Sequence, residues 1–425
     1  MDYLLRLLNV RRDEALAVLY ATAFFFCVLA ALMLLRPARD ALGMQRGIDS
    51  VRWLWVLTSI VTLAANPLFA WLVGRFSRIR FLLASYGFFA AGLLAFYLVL
   101  TLAPSAIGER SGQVFYVWFS VFNFFATMLV WALMADCFSL SDSRRLFPVM
   151  AAGGTLGAIV GPAMTALLVE RLGAPALMLI AIGFLVLAAL FAYLIARRAP
   201  PVGTAVEQPI GGSSLEGIRA VVRSPFLLGI AGYVMILSVM VTFLYFARLN
   251  MVAAMGEDVD YRTAIFARMD MATQIATLAL QLLIAGRLVE RIGVAWTLAL
   301  LPLTSALGFI GLAMASSLVV LVAVESLFKS VQRAVQRPAR EMLFTVVSRE
   351  DKYKAKAVID TFVYRLGDVA GAYTEGALAK LGMGLAAVAS AAVPLAIVWA
   401  GLGWWLGRAL NLGGGNATGI APETR

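Results

Sequence analysis

The chain has 425 residues, 62% of them hydrophobic, and a mean hydropathy of +0.89, far beyond the roughly 45–50% apolar content of soluble domains. That composition excludes a soluble globular protein and defines an integral membrane one. With no histidine, imidazole acid–base chemistry, histidine metal sites and Ser-His-Asp triads are excluded as well.

No nucleophile elbow, phosphate loop or CxxC occurs, so the chain is not read as an enzyme, and neither cofactor nor metal is expected. Cys27 and Cys137 lie inside apolar runs and read as small core residues. The formal net charge of +11 has to be read by location, because basic loops orient membrane proteins without any nucleic acid.

A short amphipathic segment, MDYLLRLLNVRRDEA, leads into the first apolar run, Ala15 to Leu35. That run is too long for a signal-peptide core and meets Arg36 without a small-residue cleavage site, so it reads as a retained first span. Stretches of membrane-crossing length then recur at 14–36, 51–74, 80–102, 113–137, 146–170, 175–196, 225–248, 262–286, 293–315, 318–347, 354–378 and 384–408. The expected fold is all-α: twelve transmembrane helices in two six-helix halves. Residues 1–198 form the first half, the Pro/Gly/Ser-rich stretch 199–216 a cytoplasmic linker, and 217–425 the second half. Lys and Arg collect in alternate connections, among them Arg75, Arg78, Arg80, Arg144, Arg145, Arg197, Arg198, Arg287 and Arg291. Both termini are therefore expected in the cytoplasm of a cell whose inner (plasma) membrane holds the chain.

The halves repeat. LVGRFSRIR after the second span and IAGRLVERIG after the eighth align Gly74 with Gly286, an offset of 212. RRLFPVMAAGGTLGAIVG and KAKAVIDTFVYRLGDVAG align Gly157 with Gly367 and Gly161 with Gly371, an offset of 210. The GRLVERIG segment resembles the loop signature of the major facilitator superfamily, which implies gating loops at Gly74 and Arg75 and at Gly286, Glu290, Arg291 and Gly293. The same resemblance implies a monomer whose first, fourth, seventh and tenth helices surround a central cavity that opens alternately to either side.

The tenth span carries charge where charge is expensive. Glu325, Lys329, Arg333, Arg337 and then Arg340 or Glu341 recur at three- and four-residue steps, one face of a helix. The apolar part before that row, about a dozen residues or about 18 Å of helix, cannot cross a core of roughly 30 Å alone. The row therefore enters the membrane. A lipid-facing ion at mid-membrane costs at least about 2.5–3.5 kcal/mol, so these side chains are expected to face water, partners or substrate. Arg36, Arg39 and Asp40, in the pentapeptide RPARD at the end of the first span, read either as cavity residues or as headgroup anchors. Arg365 and Asp368 share a face and are expected to neutralise each other; Arg268 and Asp270 do not, and are expected to pair with other helices. Pro37 and Pro338 are expected to kink or end their helices.

At these residues the chain resembles the ATP/ADP translocases, the nucleotide transporter family of intracellular bacteria and plastids. Arg36-Pro37-Ala38-Arg39-Asp40 stands where that family has Arg-Asp-Thr-Lys-Asp. Arg337-Pro338-Ala339-Arg340-Glu341-Met342 stands for Asp-Pro-x-Lys-Glu-Met, and Lys354, Lys356, Ala357, Ile359 and Asp360 resemble, with one more residue before the Asp, a Lys-x-Lys loop leading into Ala-x-Asp. Arg365, Leu366 and Gly367 are similar too. The resemblance implies nucleotide exchange, with Arg39 and Arg340 in the places of phosphate-binding lysines. The family's acid in the fourth helix has no counterpart near Phe119 to Asn123.

Guanidinium clusters suit multiply charged anions, because phosphate and carboxylate accept paired hydrogen bonds from each Arg. The reading is thus a secondary transporter exchanging nucleotides or related organophosphates. Arg36, Arg39, Lys329, Arg333, Arg337 and Arg340 bind the anion, while Asp40, Glu325, Glu341, Asp360 and Arg365 pair or couple. Membrane lipids surround it, and nucleic acid is not a partner. Two alternatives stay open: proton-coupled transport of another anionic solute, and a non-transporting binder of anionic lipid.

Overall fold

In a bilayer each backbone N–H and C=O must be bonded within its own segment, so apolar runs of this length become helices. The computed structural model describes residues 10–11, 14–76, 78–102, 105–138, 140–198, 214–284 and 288–411. Among them no strand occurs. The first six helices are α1 (Ala15–Gly43), α2 (Ile48–Arg75), α3 (Arg78–Leu102), α4 (Ser105–Cys137), α5 (Leu140–Leu172) and α6 (Ala176–Arg198). A short helix, α7 (Ser214–Arg223), precedes α8 (Pro225–Ala253), α9 (Val259–Ile284), α10 (Leu288–Met314) and α11 (Leu318–Val331). Then come α12 (Arg337–Leu343), α13 (Arg349–Val358), α14 (Tyr364–Lys380) and α15 (Leu385–Asn411). Most of the expected linker, 199–213, and Gly286 lie outside the described residues.

Nine of the described helices are long and apolar enough to cross a membrane. The other three predicted spans are the charged ones, carried by α9, by α11 with α12, and by α13 with α14. The last two are each interrupted by a five-residue π-helical segment, Gln332–Gln336 and Ile359–Val363. Pro338 follows the first segment as the second residue of α12. Pro37, by contrast, does not end its helix: α1 runs through it to Gly43.

Contacts divide the chain into two units, Met1–Val206 with Val252–Gln274, and Glu207–Met251 with Ile275–Arg425. In the first, α1 is the central helix, packed by α4, α5 and α6. Its approach to α5 depends on a glycine row. A Cβ at Gly153, Gly157 or Gly161 would lie 2.4, 2.3 or 2.6 Å from the carbonyl oxygens of Thr22, Phe26 and Ala30. Small residues at four-residue spacing thus let the two backbones touch, and the Thr165 hydroxyl donates across the seam to the Leu34 carbonyl at 2.7 Å. Where α5 begins, Arg145 Nη2 donates to Glu14 Oε2 at 2.8 Å, fastening it to the entry of α1.

The second unit repeats the device. A Cβ at Gly367 would lie 2.8 Å from the Met235 carbonyl oxygen, and one at Gly371 2.9 Å from the Thr242 Cβ, so α14 sits on α8 as α5 sits on α1. The glycines aligned across the repeat in sequence make equivalent contacts.

Gly157→Ala should cost about 1–3 kcal/mol, the usual range for overpacking, because a carbonyl oxygen cannot move out of the way as a side chain can. Gly183, with nothing within 4 Å of an added Cβ, is the control, and Gly183→Ala should be neutral or stabilising. Thermal melting of detergent-purified protein, followed by size-exclusion chromatography, measures both.

Candidate functional site

In the first unit the charges of RPARD are not headgroup anchors. Arg39 is 8% exposed and Asp40 0%. Arg39 Nε donates to Asp40 Oδ1 at 2.9 Å and Nη1 to the Ser120 hydroxyl at 3.3 Å, while the guanidinium carbon lies 4.8 Å from the centre of the Tyr116 ring. Ser120 and Tyr116 both belong to α4. One helical turn earlier, Arg36 Nε is 3.9 Å from Asp270 Oδ2 on α9. The same part of α9 holds two further ties: Arg268 Nη2 donates to Glu170 at 2.8 Å, and Asp260 accepts the Ala174 N–H at 2.7 Å. Arg268 and Asp270 thus pair with other helices, as their spacing predicts.

In the second unit the row on the tenth span meets carboxylates. Lys329 pairs with Glu325 one turn away, and Arg340 Nη2 reaches Asp360 Oδ1 at 3.2 Å and Glu341 Oε1 at 3.8 Å. Lys356 closes on Glu341. Arg365 Nη1 donates to Asp368 Oδ2 at 2.9 Å, and the Ser238 hydroxyl donates to Oδ1 at 2.6 Å. Arg333 is half-buried, and Arg337 is exposed with no ion pair among the described residues. The predicted coupling residues Glu325, Glu341, Asp360 and Arg365 are therefore all engaged in ion pairs.

The expected gating-loop residues are only partly described. Gly293 has φ +73° and breaks α10, a conformation that favours glycine. Arg75 lies 5.3 Å over the Trp71 ring and is exposed. For Gly74, Glu290 and Arg291 the helical backbone is described but not the side chains.

Sequence reasoning missed Arg248. It closes the predicted seventh span, yet α8 continues to Ala253 and leaves Arg248 1% exposed, with Nη1 3.4 Å from Glu325 Oε1. One carboxylate thereby serves two cations, Lys329 and Arg248. A signal did exist. The glycine contacts match Phe26 with Met235 and Ala30 with Val239, an offset of 209, and the same offset carries Arg39 to Arg248. Arg39 packs on α4, the fourth span, and Arg248 on α11, which begins the tenth. The counterpart of Arg39 in the second half is Arg248.

Among the described residues, a helix-only fold with repeated glycine seams, buried paired charges and nine helices of membrane-crossing length is that of a multi-pass membrane protein. Residues 15–262 match the family model of the Major Facilitator Superfamily, and the chain belongs to that family of membrane transporters. Solved structures share its fold at low identity. A bacterial homologue of the human lysosomal transporter Spinster, inward-facing and unoccupied, is 13% identical, with TM-score 0.61 over 95% of this chain and 98% of that one. The nucleoside transporter NupG is 14% identical, with TM-score 0.66 over 93% and 99%. The POT-family transporter PepTSo is 14% identical, with TM-score 0.64 over 93% and 98%. No curated protein matches the sequence.

Removing one member of a buried ion pair leaves the other charge uncompensated, at a cost of about 3–5 kcal/mol, whereas an exposed pair is worth roughly 0–1 kcal/mol. Arg248→Met should therefore destabilise the protein far more than Arg268→Met, whose pair is 56% and 51% exposed. The double variant Arg248→Met/Glu325→Gln should recover part of the loss. Melting temperatures of the four proteins decide it.

Proposed function

We propose that the chain exchanges organophosphate anions, nucleotides among them, by alternating access, and that Arg36, Arg39, Lys329, Arg333, Arg337 and Arg340 are the ligands of the anion. On this reading it is a monomeric carrier of the bacterial inner membrane with both termini cytoplasmic. The observation that carries it is the tenth span, where four cations, Lys329, Arg333, Arg337 and Arg340, stand against two carboxylates, Glu325 and Glu341. Carboxylates already occupy Lys329 and Arg340, so an incoming phosphate would replace one anion by another instead of filling a bare cationic site. The resemblance to the nucleotide translocases at RPARD, Arg337 to Met342 and Lys354 to Asp360 supports the substrate class. The likeness to a nucleoside transporter is a likeness of fold and adds nothing to it.

Substrate-free reorientation would carry the excess cations through an occluded, low-dielectric state, which is costly. Exchange avoids that step because one anion or another is always bound. Arg248, shared with Lys329 through Glu325, joins the ligand set in this reading.

The test is uptake of labelled ATP, ADP and a panel of phosphate esters into proteoliposomes, with and without the same compounds inside. Uptake should require internal anion and should ignore an imposed pH gradient; no exchange across the panel overturns the reading. Uptake that follows the pH gradient would instead favour proton coupling, with Asp40, Glu325 or Glu341 as the carrier of the proton. A charge-assisted hydrogen bond is worth about 1.5–3 kcal/mol, so Arg340→Gln should raise the half-saturating concentration roughly 10- to 100-fold.

A further inference from the structure

The short helix α7 has an apolar side wider than the helix that covers it. Its inner edge is closed. Gly217 and Val221 are buried, and a Cβ on Gly217 would lie 2.6 Å from the Lys354 carbonyl oxygen and 2.7 Å from Val358 Cγ2, so α7 lies directly on α13. Further round the cylinder, Ile218 and Val222 stand four residues apart on one face and are 43% and 62% exposed. Beyond them, Arg219 and Arg223 repeat that spacing, both exposed and neither in an ion pair among the described residues. The order around the helix is therefore a packed edge, a bare apolar edge and a basic edge.

Exposed apolar side chains are ordinary where a helix crosses lipid, but α7 cannot cross it: its 10 residues make about 15 Å of helix, half of the roughly 30 Å hydrocarbon core. Nor can it leave the membrane. A single residue, Ser224, joins it to α8, which is long and apolar enough to span. Ser224 is 5% exposed, and its carbonyl already accepts the Leu228 N–H at 2.9 Å, so the joint has no slack. A helix held at the mouth of a span, with apolar and basic edges side by side, has the pattern of one lying in the interfacial layer. There the apolar side chains enter the acyl boundary while guanidinium groups meet headgroup phosphates. The two arginines of α7 outnumber its one acid, Glu216, which matches an anionic surface.

We propose that α7 is an interfacial anchor: Ile218 and Val222 insert into the bilayer surface beside α8, and Arg219 and Arg223 bind the anionic lipid headgroups of the same membrane. Because α7 is seated on the Lys354 carbonyl, the anchor also fixes α13 and the π-helical turn at Asp360 that follows it. This site does not depend on what the chain carries, and its test needs no transport.

The full chain is placed in nanodiscs of phosphatidylcholine, alone or mixed with phosphatidylglycerol, with an environment-sensitive fluorophore on Val222→Cys. Cys27 and Cys137 are buried, and the parent protein is the labelling control. A nitroxide high on the lipid acyl chain should quench the fluorophore, aqueous acrylamide should not, and phosphatidylglycerol should increase the nitroxide quenching. In the same background Arg219→Gln/Arg223→Gln, on the exposed side of the helix, should abolish that increase and leave the phosphatidylcholine value in place. Ile218→Ser should lower nitroxide quenching in both lipids. Quenching by acrylamide puts this face in water, and protection from both quenchers puts it under protein; either result overturns the proposal. So does a phosphatidylglycerol increase that is absent from the labelled parent or survives the loss of both arginines.

Discussion

Charge inside a hydrocarbon layer is the constraint from which the rest of this molecule follows. A single unpaired ion there costs at least about 2.5–3.5 kcal/mol, against a net stability of about 5–15 kcal/mol for a whole domain. The most deeply buried cation described, Arg248, is held by a carboxylate, and several such pairings fix one helix to another. Arg248 ties α8 to α11 through Glu325, and Arg36 ties α1 to α9 through Asp270. Asp368, held by Arg365 on its own helix and by Ser238 on α8, ties α14 to α8. Such pairs reach each other only where backbones come close. Ser238 is also the residue that a Cβ on Gly367 would strike, at 2.7 Å. The glycine seam and the buried ion pair are one device: the missing side chain brings the hydroxyl within reach of the carboxylate.

The same constraint accounts for where helices are irregular. Among the described residues the π-helical segments occur only in the two spans with the densest charge, just before Arg337 and around Asp360, and the Arg340–Asp360 pair links one to the other. A π turn widens the helix by one residue and shifts the register of everything after it. Four-residue steps drift about 40° each on a helix of 3.6 residues per turn, so that shift turns Arg337 back toward the face of Glu325 and Lys329. The missing N–H of Pro338 falls where the interruption has already changed the bonding pattern.

Much of this was legible in the sequence. Apolar length gave the helices, and the aligned glycines gave the repeat, because a Gly in a membrane helix marks a close contact that both halves must keep. Pairing of Arg365 with Asp368 followed from spacing alone. What could not be read was where a helix stops when a charge follows an apolar run. Arg39 and Arg248 both look like the polar end of a span, and periodicity does not distinguish a headgroup anchor from a buried ion whose partner is far away in sequence. Ser120 is 81 residues from Arg39, and Glu325 is 77 from Arg248. The equivalence of the two arginines emerged only when the glycine contacts supplied the register. Pro37 does not end its helix, because the packing around α1 carries it on to Gly43.

Internal carboxylates also bear on which anions such a site would favour. A ligand that displaces Glu325 from Lys329, or Asp360 from Arg340, gains only the difference between two anion–cation interactions, and the displaced carboxylate must find water or another cation. A monocarboxylate would replace like with like and gain little. A phosphate ester brings three acceptor oxygens and close to two charges, enough to satisfy Arg340 and still engage Arg337, which has no ion pair among the described residues. Selectivity would then arise from competition with the protein's own side chains, and the carboxylates that make the empty carrier tolerable would be the same groups that exclude weaker anions.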